Sequence, residues 1–192
     1  MDNLRPPLPQ RARQRARGFT AIELMIVIAI LGLLAALAAP SFTPLLERWR
    51  VRQATEALES TLYWARSEAI RRGGGVAMQK LASGTNGCTG ALTNQSWDCG
   101  WIVCEDTNVN GQCDASEPVL KRYDAPAGVQ ISRTGGSASI KLNRWGLVSG
   151  AWLGFSLVPL NKPTTDASAR GLCMSRGGRI RTLAPEDIPC TS

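Results

Sequence analysis

The chain contains no histidine among its 192 residues. That absence removes the imidazole base on which Ser-His and Cys-His nucleophiles depend, together with the commonest metal ligand. Its six cysteines include no C-x-x-C pair, the spacing that seeds tetrahedral zinc sites. The 15 acidic residues are scattered, so no spacing supports a paired-carboxylate hydrolase. No internal repeat is present, and there is one long apolar run. Without a nucleophile, a base or a metal cluster the chain reads as a non-enzyme.

The apolar run is Phe19 to Ala39, 21 residues with a single charge, Glu23. As a helix it is long enough to cross a hydrocarbon core of about 30 Å. Arg5, Arg11, Arg13, Arg15 and Arg17 precede it, against Asp2. The positive-inside rule keeps those arginines cytoplasmic and sends everything after Pro40 outward. Setting this segment's +4 aside reduces the net charge from +7 to +3, which by itself identifies no partner. The rival reading is an ordinary secretory signal peptide, since Ala36-Leu37-Ala38 has the small-x-small form of a cleavage site. Against it, the run exceeds the roughly 7 to 15 apolar residues usual there, and a carboxylate near its start is foreign to such a region.

All six cysteines, Cys88, Cys99, Cys104, Cys113, Cys173 and Cys190, follow the apolar run and so fall where disulfides form. Six cysteines allow about 15 pairings. Cheap closure of short loops favours Cys88 with Cys99, Cys104 with Cys113, and Cys173 with Cys190.

Helical character continues past the run, where Val51, Ala54, Leu58, Leu62, Ala65 and Ala69 form one apolar stripe at three- and four-residue spacings. Gly73-Gly74-Gly75 stops it. A helix from Phe19 to Arg72 would span about 80 Å, with Pro40 and Pro44 expected to bend or melt it. Short β-type runs follow, divided by Gly, Asn, Asp and Pro: Val76 to Lys80, Trp101 to Cys104, Pro118 to Tyr123, Val129 to Ser132, Ser139 to Leu142, Trp152 to Val158 and Arg179 to Leu183. The expected class is α+β: a long N-terminal helix, transmembrane and then amphipathic, packed on a C-terminal antiparallel β-sheet domain. Residues 1–18 form a leader, 19–39 the membrane helix and 40–192 one globular domain.

The stretch Gly18-Phe19-Thr20-Ala21-Ile22-Glu23-Leu24-Met25-Ile26-Val27 resembles the prepilin processing motif of type IV pilins and type II secretion pseudopilins. A basic leader ending in glycine, then phenylalanine, then glutamate at the fifth mature position and Pro40 at the twenty-second occur together. Beyond the helix the chain is similar to the GspH/FimT branch of minor pilins, through Trp64-Ala65-Arg66-Ser67-Glu68-Ala69, Gly100-Trp101-Ile102-Val103 leading to Asp106, and Gly178-Arg179-Ile180-Arg181. The resemblance implies cleavage after Gly18 by a membrane prepilin peptidase and N-methylation of Phe19. It further implies a single pass through the inner membrane with a periplasmic domain, and assembly with other pilin subunits into a filament. A carboxylate in hydrocarbon is costly unless paired or functional. Glu23 is therefore expected to pair with the new amine at Phe19 of a neighbouring subunit, the alternative being a carboxylate solvated near the headgroups.

Two further clusters carry chemistry. Asp106-x-Asn108-x-Asn110-Gly111, with Asp114 and Glu117 following, fits the twelve-residue calcium-loop pattern, and the Gln112 carbonyl adds an oxygen. Its strand-like flanks and Cys113 favour a polar hairpin loop over a calcium site, and no other cofactor is expected. Arg170, Arg176, Arg179 and Arg181 concentrate positive charge around the Cys173 to Cys190 bracket, in a form suited to phosphate. The alternative is a solvated edge strand. In the FimT type of competence pilin the Gly-Arg-x-Arg element is linked to DNA binding in natural transformation, which makes DNA a possible partner by resemblance. The six tryptophans, Trp49, Trp64, Trp97, Trp101, Trp145 and Trp152, are expected mostly in the core and not as stacking platforms for nucleic acid.

Overall fold

A computed structural model describes residues 19–38, 42–124, 127–150 and 152–191. The chain divides into two compact units, one ending at Ser41 and the other running Phe42–Ser192. In the first, α1 spans Ala21–Ala38. Thr20 caps it, its hydroxyl accepting from the Glu23 amide at 3.2 Å and its carbonyl from the Leu24 amide. Because Thr20 takes the cap, the helix starts two residues after Phe19, and its 18 residues rise about 27 Å. Among the described residues no helix is long and apolar enough to cross a membrane. The segment expected at 19–39 is thus only partly helix, and Ala39 lies outside the described residues.

The second unit opens on α2, Thr43–Arg72. Pro44 falls in its first turn, where a missing amide costs nothing. Pro44 therefore starts this helix instead of bending one, whereas Pro40 lies outside the described residues. Val51, Ala54, Leu58, Leu62, Ala65 and Ala69 are all at most 1% exposed, the stripe read from spacing. Thr55 and Thr61 join that face because their hydroxyls bond back to the carbonyls of Val51 and Ala57, at 2.8 and 2.7 Å. The helix ends where Gly73 turns left-handed at φ +74° and the Gly74 amide reaches the Ala69 carbonyl at 2.8 Å.

Eight strands follow: β1 Val76–Lys80, β2 Gly100–Glu105, β3 Val119–Asp124, β4 Val129–Thr134, β5 Ser139–Leu142, β6 Trp152–Pro159, β7 Arg170–Ser175 and β8 Ile180–Leu183. They build two antiparallel sheets, ordered β3-β2-β1-β5 and β4-β6-β7-β8. The amphipathic helix lies against strands of both. β7, Arg-Gly-Leu-Cys-Met-Ser, was not among the expected strands, since it contains no β-branched residue and opens on Arg-Gly. It is central and buried because Leu172 and Met174 face the core while Cys173 bonds to the C-terminal segment.

Trp97 and Trp101 fill the core. The loop before β2 carries Trp97 to the second sheet, where its amide donates to the Ile131 carbonyl at 2.7 Å and its ring meets Phe155 edge-on at 5.2 Å. Trp101 stacks on Tyr123 at 4.5 Å. Trp49 and Trp145 are instead exposed, at 60% and 66%. The disulfides are Cys88–Cys99, Cys104–Cys113 and Cys173–Cys190.

Candidate functional site

Gly18 lies outside the described residues. Phe19 is 83% exposed, and every described side chain through Leu37 is exposed. α1 is thus apolar on all sides, with Glu23 in its first turn. Thr20-x-x-Glu23 is also the spacing of a capping box, a signal present in the sequence but not used there. A carboxylate in that turn faces the positive end of the helix dipole, so the position suits an anion before any neighbouring amine is considered.

The late arginines are carried by the β7–β8 hairpin. Its turn is closed by bonds from the Gly178 amide to the Ser175 carbonyl at 2.8 Å and from the Ser175 amide to the Arg179 carbonyl at 2.9 Å. Arg66 on α2 anchors it, with Nε donating to the Gly146 carbonyl at 2.9 Å and Nη1 to the Gly178 carbonyl. This contact joins two of the segments that carry the family resemblance, residues 64–69 and 178–181. Arg176, Arg179 and Arg181 are exposed, and none of them forms an ion pair with a carboxylate among the described residues. Arg179 and Arg181 line a cleft of about 240 Å³ with Trp152, Ser175 and the Cys173–Cys190 bridge. Arg170 is not part of this group. It opens β7, its guanidinium donates to the Ala169 carbonyl at 2.6 Å, and it lines a separate groove with Arg52, Glu56 and Thr182. The expected cluster of four is therefore three plus one.

The polar loop joins β2 to β3. Asp106 is 1% exposed and accepts the Gly111 amide at Oδ2, 2.9 Å. Glu117, 6% exposed, accepts at Oε1 from the Thr107 amide at 2.7 Å and at Oε2 from the Asp114 amide at 3.0 Å. The Asp114 amide first, then the Thr107 and Asn108 donors, hold its carboxyl below its ordinary value despite burial. Asn108 and Asn110 each donate a side-chain amide to Asp114 Oδ2 at 2.8 Å. The Gln112 carbonyl lies 3.7 Å from Cys104 Sγ, which as half of a disulfide has no proton to donate. Among the described residues no three His, Cys, Asp or Glu side chains converge as a metal cluster by themselves.

An all-apolar helix bearing one carboxylate, followed by a unit in which an amphipathic helix is packed on antiparallel sheets, defines a pilin-type subunit. The chain belongs to the family described as Type II transport protein GspH, whose profile matches residues 54–178. The Prokaryotic N-terminal methylation motif matches residues 13–39. The family is one of structural pilins and pseudopilins, which are not enzymes. The Pilin-like protein PilA1 of Thermus thermophilus is 34% identical over 101 residues, 53% of this chain and 55% of that one. The Type IV major pilin protein PilA of Myxococcus xanthus is 49% identical over 55 residues, 29% and 24% of the two chains. The chain thus spans about half the length of the first relative and a quarter of the second. The type IV minor pilin FimU of Pseudomonas aeruginosa superposes with a TM-score of 0.55 at 20% identity, over 74% of this chain and 94% of that one, a likeness of fold.

Proposed function

We propose that the chain is a minor pilin that enters a type IV pilus at low copy. It is inserted once in the inner membrane with its globular unit in the periplasm, cut after Gly18 by prepilin peptidase and methylated at Phe19. The observation that carries this is α1, exposed along its described side chains and apolar on every face but for Glu23. A helix apolar all round must be covered by lipid or by other apolar helices. In a filament the neighbouring subunits cover it, and Glu23 pairs with the Phe19 amine of one of them. Glu23→Ala leaves membrane insertion intact, because the segment becomes more apolar, and depletes the subunit from sheared pili. Normal amounts of the variant in those pili overturn the pairing role. Deletion of the gene separates the pilus from its alternative, a type II secretion pseudopilus. Lost piliation with intact secretion supports the pilus, and the reverse assigns the chain to secretion.

A second reading adds DNA as a partner through Arg176, Arg179 and Arg181, for uptake in natural transformation. What supports it is that these three are exposed and without a carboxylate ion pair among the described residues. An unpaired guanidinium keeps its fork of donors for a phosphate.

A further inference from the structure

The assembly reading leaves unused the loop between β2 and β3, and that loop contains a buried oxygen without a partner. Asp106 is 1% exposed, and its Oδ1 has no hydrogen-bond donor among the described residues. Its Oδ2 accepts the amide of Gly111, five residues on, which turns the carboxylate across the loop. A buried carboxylate oxygen lacking a donor is expensive, and buried polar atoms in folded proteins almost always have a partner. The group that meets Oδ1 must supply positive charge or a hydrogen.

The surrounding oxygens specify which. Glu117 reaches back from the twelfth position to the amides of Thr107 and Asn108, at 2.7 and 3.4 Å, so the two ends of the loop face one another. Asn108 and Asn110 bend the chain between them, their Oδ1 atoms accepting the amides of Asn110 and Gln112 at 3.0 and 2.7 Å. Gly111 at φ +82° lets the chain turn so that its amide meets Asp106. Asp114 faces the same two asparagines. Three carboxylates and two side-chain amides therefore lie along one turn without converging on a point, and Lys141 donates to the Val109 carbonyl at its rim.

We propose that this loop binds a calcium ion, with Asp106 Oδ1 as the buried ligand and Asn108, Asn110, Asp114 and Glu117 supplying further oxygens. Calcium takes six to eight oxygens in flexible geometry and accepts amides and carbonyls beside carboxylates. The lack of a cluster of three acidic side chains therefore does not count against it. Magnesium demands stricter octahedral geometry, and zinc would need nitrogen or sulfur where Cys113 is already bonded to Cys104. Strands and that disulfide hold the loop in place of the flanking helices usual for such a pattern. On binding, the ion replaces the asparagine amide nitrogens now facing Asp114.

The test uses the full chain purified in detergent, stripped with chelator and titrated with calcium by calorimetry. Sites of this kind outside the cytosol bind at roughly 10⁻⁴ M. Calcium about a hundredfold above that constant should raise Tm by roughly 5–10 °C, with magnesium at the same concentration giving much less. Asp106→Asn and, separately, Asp114→Ala at the partly exposed side of the loop should each weaken binding at least tenfold while the protein stays folded without calcium. Absence of calcium heat and of a Tm shift in the parent chain overturns the proposal, as does an undiminished response in Asp114→Ala. An equal response to magnesium also overturns it, because the loop would then be acting as general negative charge.

Discussion

At the scale of single residues, Gly178 leaves no room for a side chain beside Arg66. A Cβ on Gly178 would lie 2.4 Å from Arg66 Nη2 and 2.8 Å from its Cζ, and the backbone there has φ +83°. Gly178→Ala must therefore both strain the turn and displace the guanidinium from two carbonyls, and should cost about 1–3 kcal/mol in denaturant unfolding. In an Arg66→Ala background the same change should cost less, because only the backbone strain is left; equal costs would show that the two residues do not interact. Glu68 gives a pH signature. Hydrogen bonds from Arg71 first and then Arg72, the latter at 2.5 Å, hold its carboxyl at about 2 against an ordinary 4.5. A carboxyl depressed on folding stabilises above its unfolded value and loses that contribution as pH falls through the folded one. Tm should thus decline between about pH 4.5 and 2 in the parent. Glu68→Gln should flatten that part of the profile, with lower stability at neutral pH.

At the scale of elements, α2 was readable because six apolar positions repeat at a helical period and all six are buried, so local pattern and tertiary packing agree. Leu58→Ala, at the middle of that face, should cost about 2–5 kcal/mol, measured by unfolding. β7 escaped notice for the opposite reason. Its burial comes from partners distant in sequence, Leu172 and Met174 against the core and Cys173 against Cys190, and because Cys173 is apolar too the three read as a short unbroken run with no alternation. The division of the strands into two sheets was equally hidden, since β1 pairs with β5 across three intervening strands. The candidate sites show the same limit. The spacing of Asp106, Asn108, Asn110 and Glu117 could be read directly, whereas the unpartnered Asp106 oxygen could not. The four late arginines looked like one group along the chain, but strand pairing sends Arg170 to a different groove. The Cys173–Cys190 bridge ties the C-terminal segment over β7, so Cys173→Ser with Cys190→Ser should lower stability by about 2–5 kcal/mol and loosen the wall of the arginine cleft. Thiol labelling of the unreduced parent, which should be negligible, checks the pairing independently.

At the scale of the whole molecule, the proposed assembly gives the two units different partners: lipid and neighbouring helices for α1, and whatever meets its exposed surface for the globular unit. The fragment Phe42–Ser192 isolates the second. If DNA is that partner, the arginines that meet it sit on the β7–β8 hairpin and not on a helix, and binding should be weak and without sequence preference, carried by phosphate contacts. Arg176, Arg179 and Arg181 supply three such contacts, while Arg170 is turned into its own groove and bonded to the Ala169 carbonyl. At about −0.9 per contact, the slope of log affinity against log salt should be near −3. Arg179→Gln should reduce its magnitude by about one and weaken unrelated duplexes alike, whereas Arg170→Gln should leave it unchanged. Lysine at Arg179 keeps the charge but loses the fork, so it should retain the slope while lowering affinity. Fluorescence anisotropy over a salt series reads all three outcomes. A parent fragment with no salt-sensitive binding, or an Arg179→Gln, Arg181→Gln double variant that binds like the parent, removes DNA as a partner and leaves the hairpin with the role Arg66 gives it, closing the end of the fold against α2.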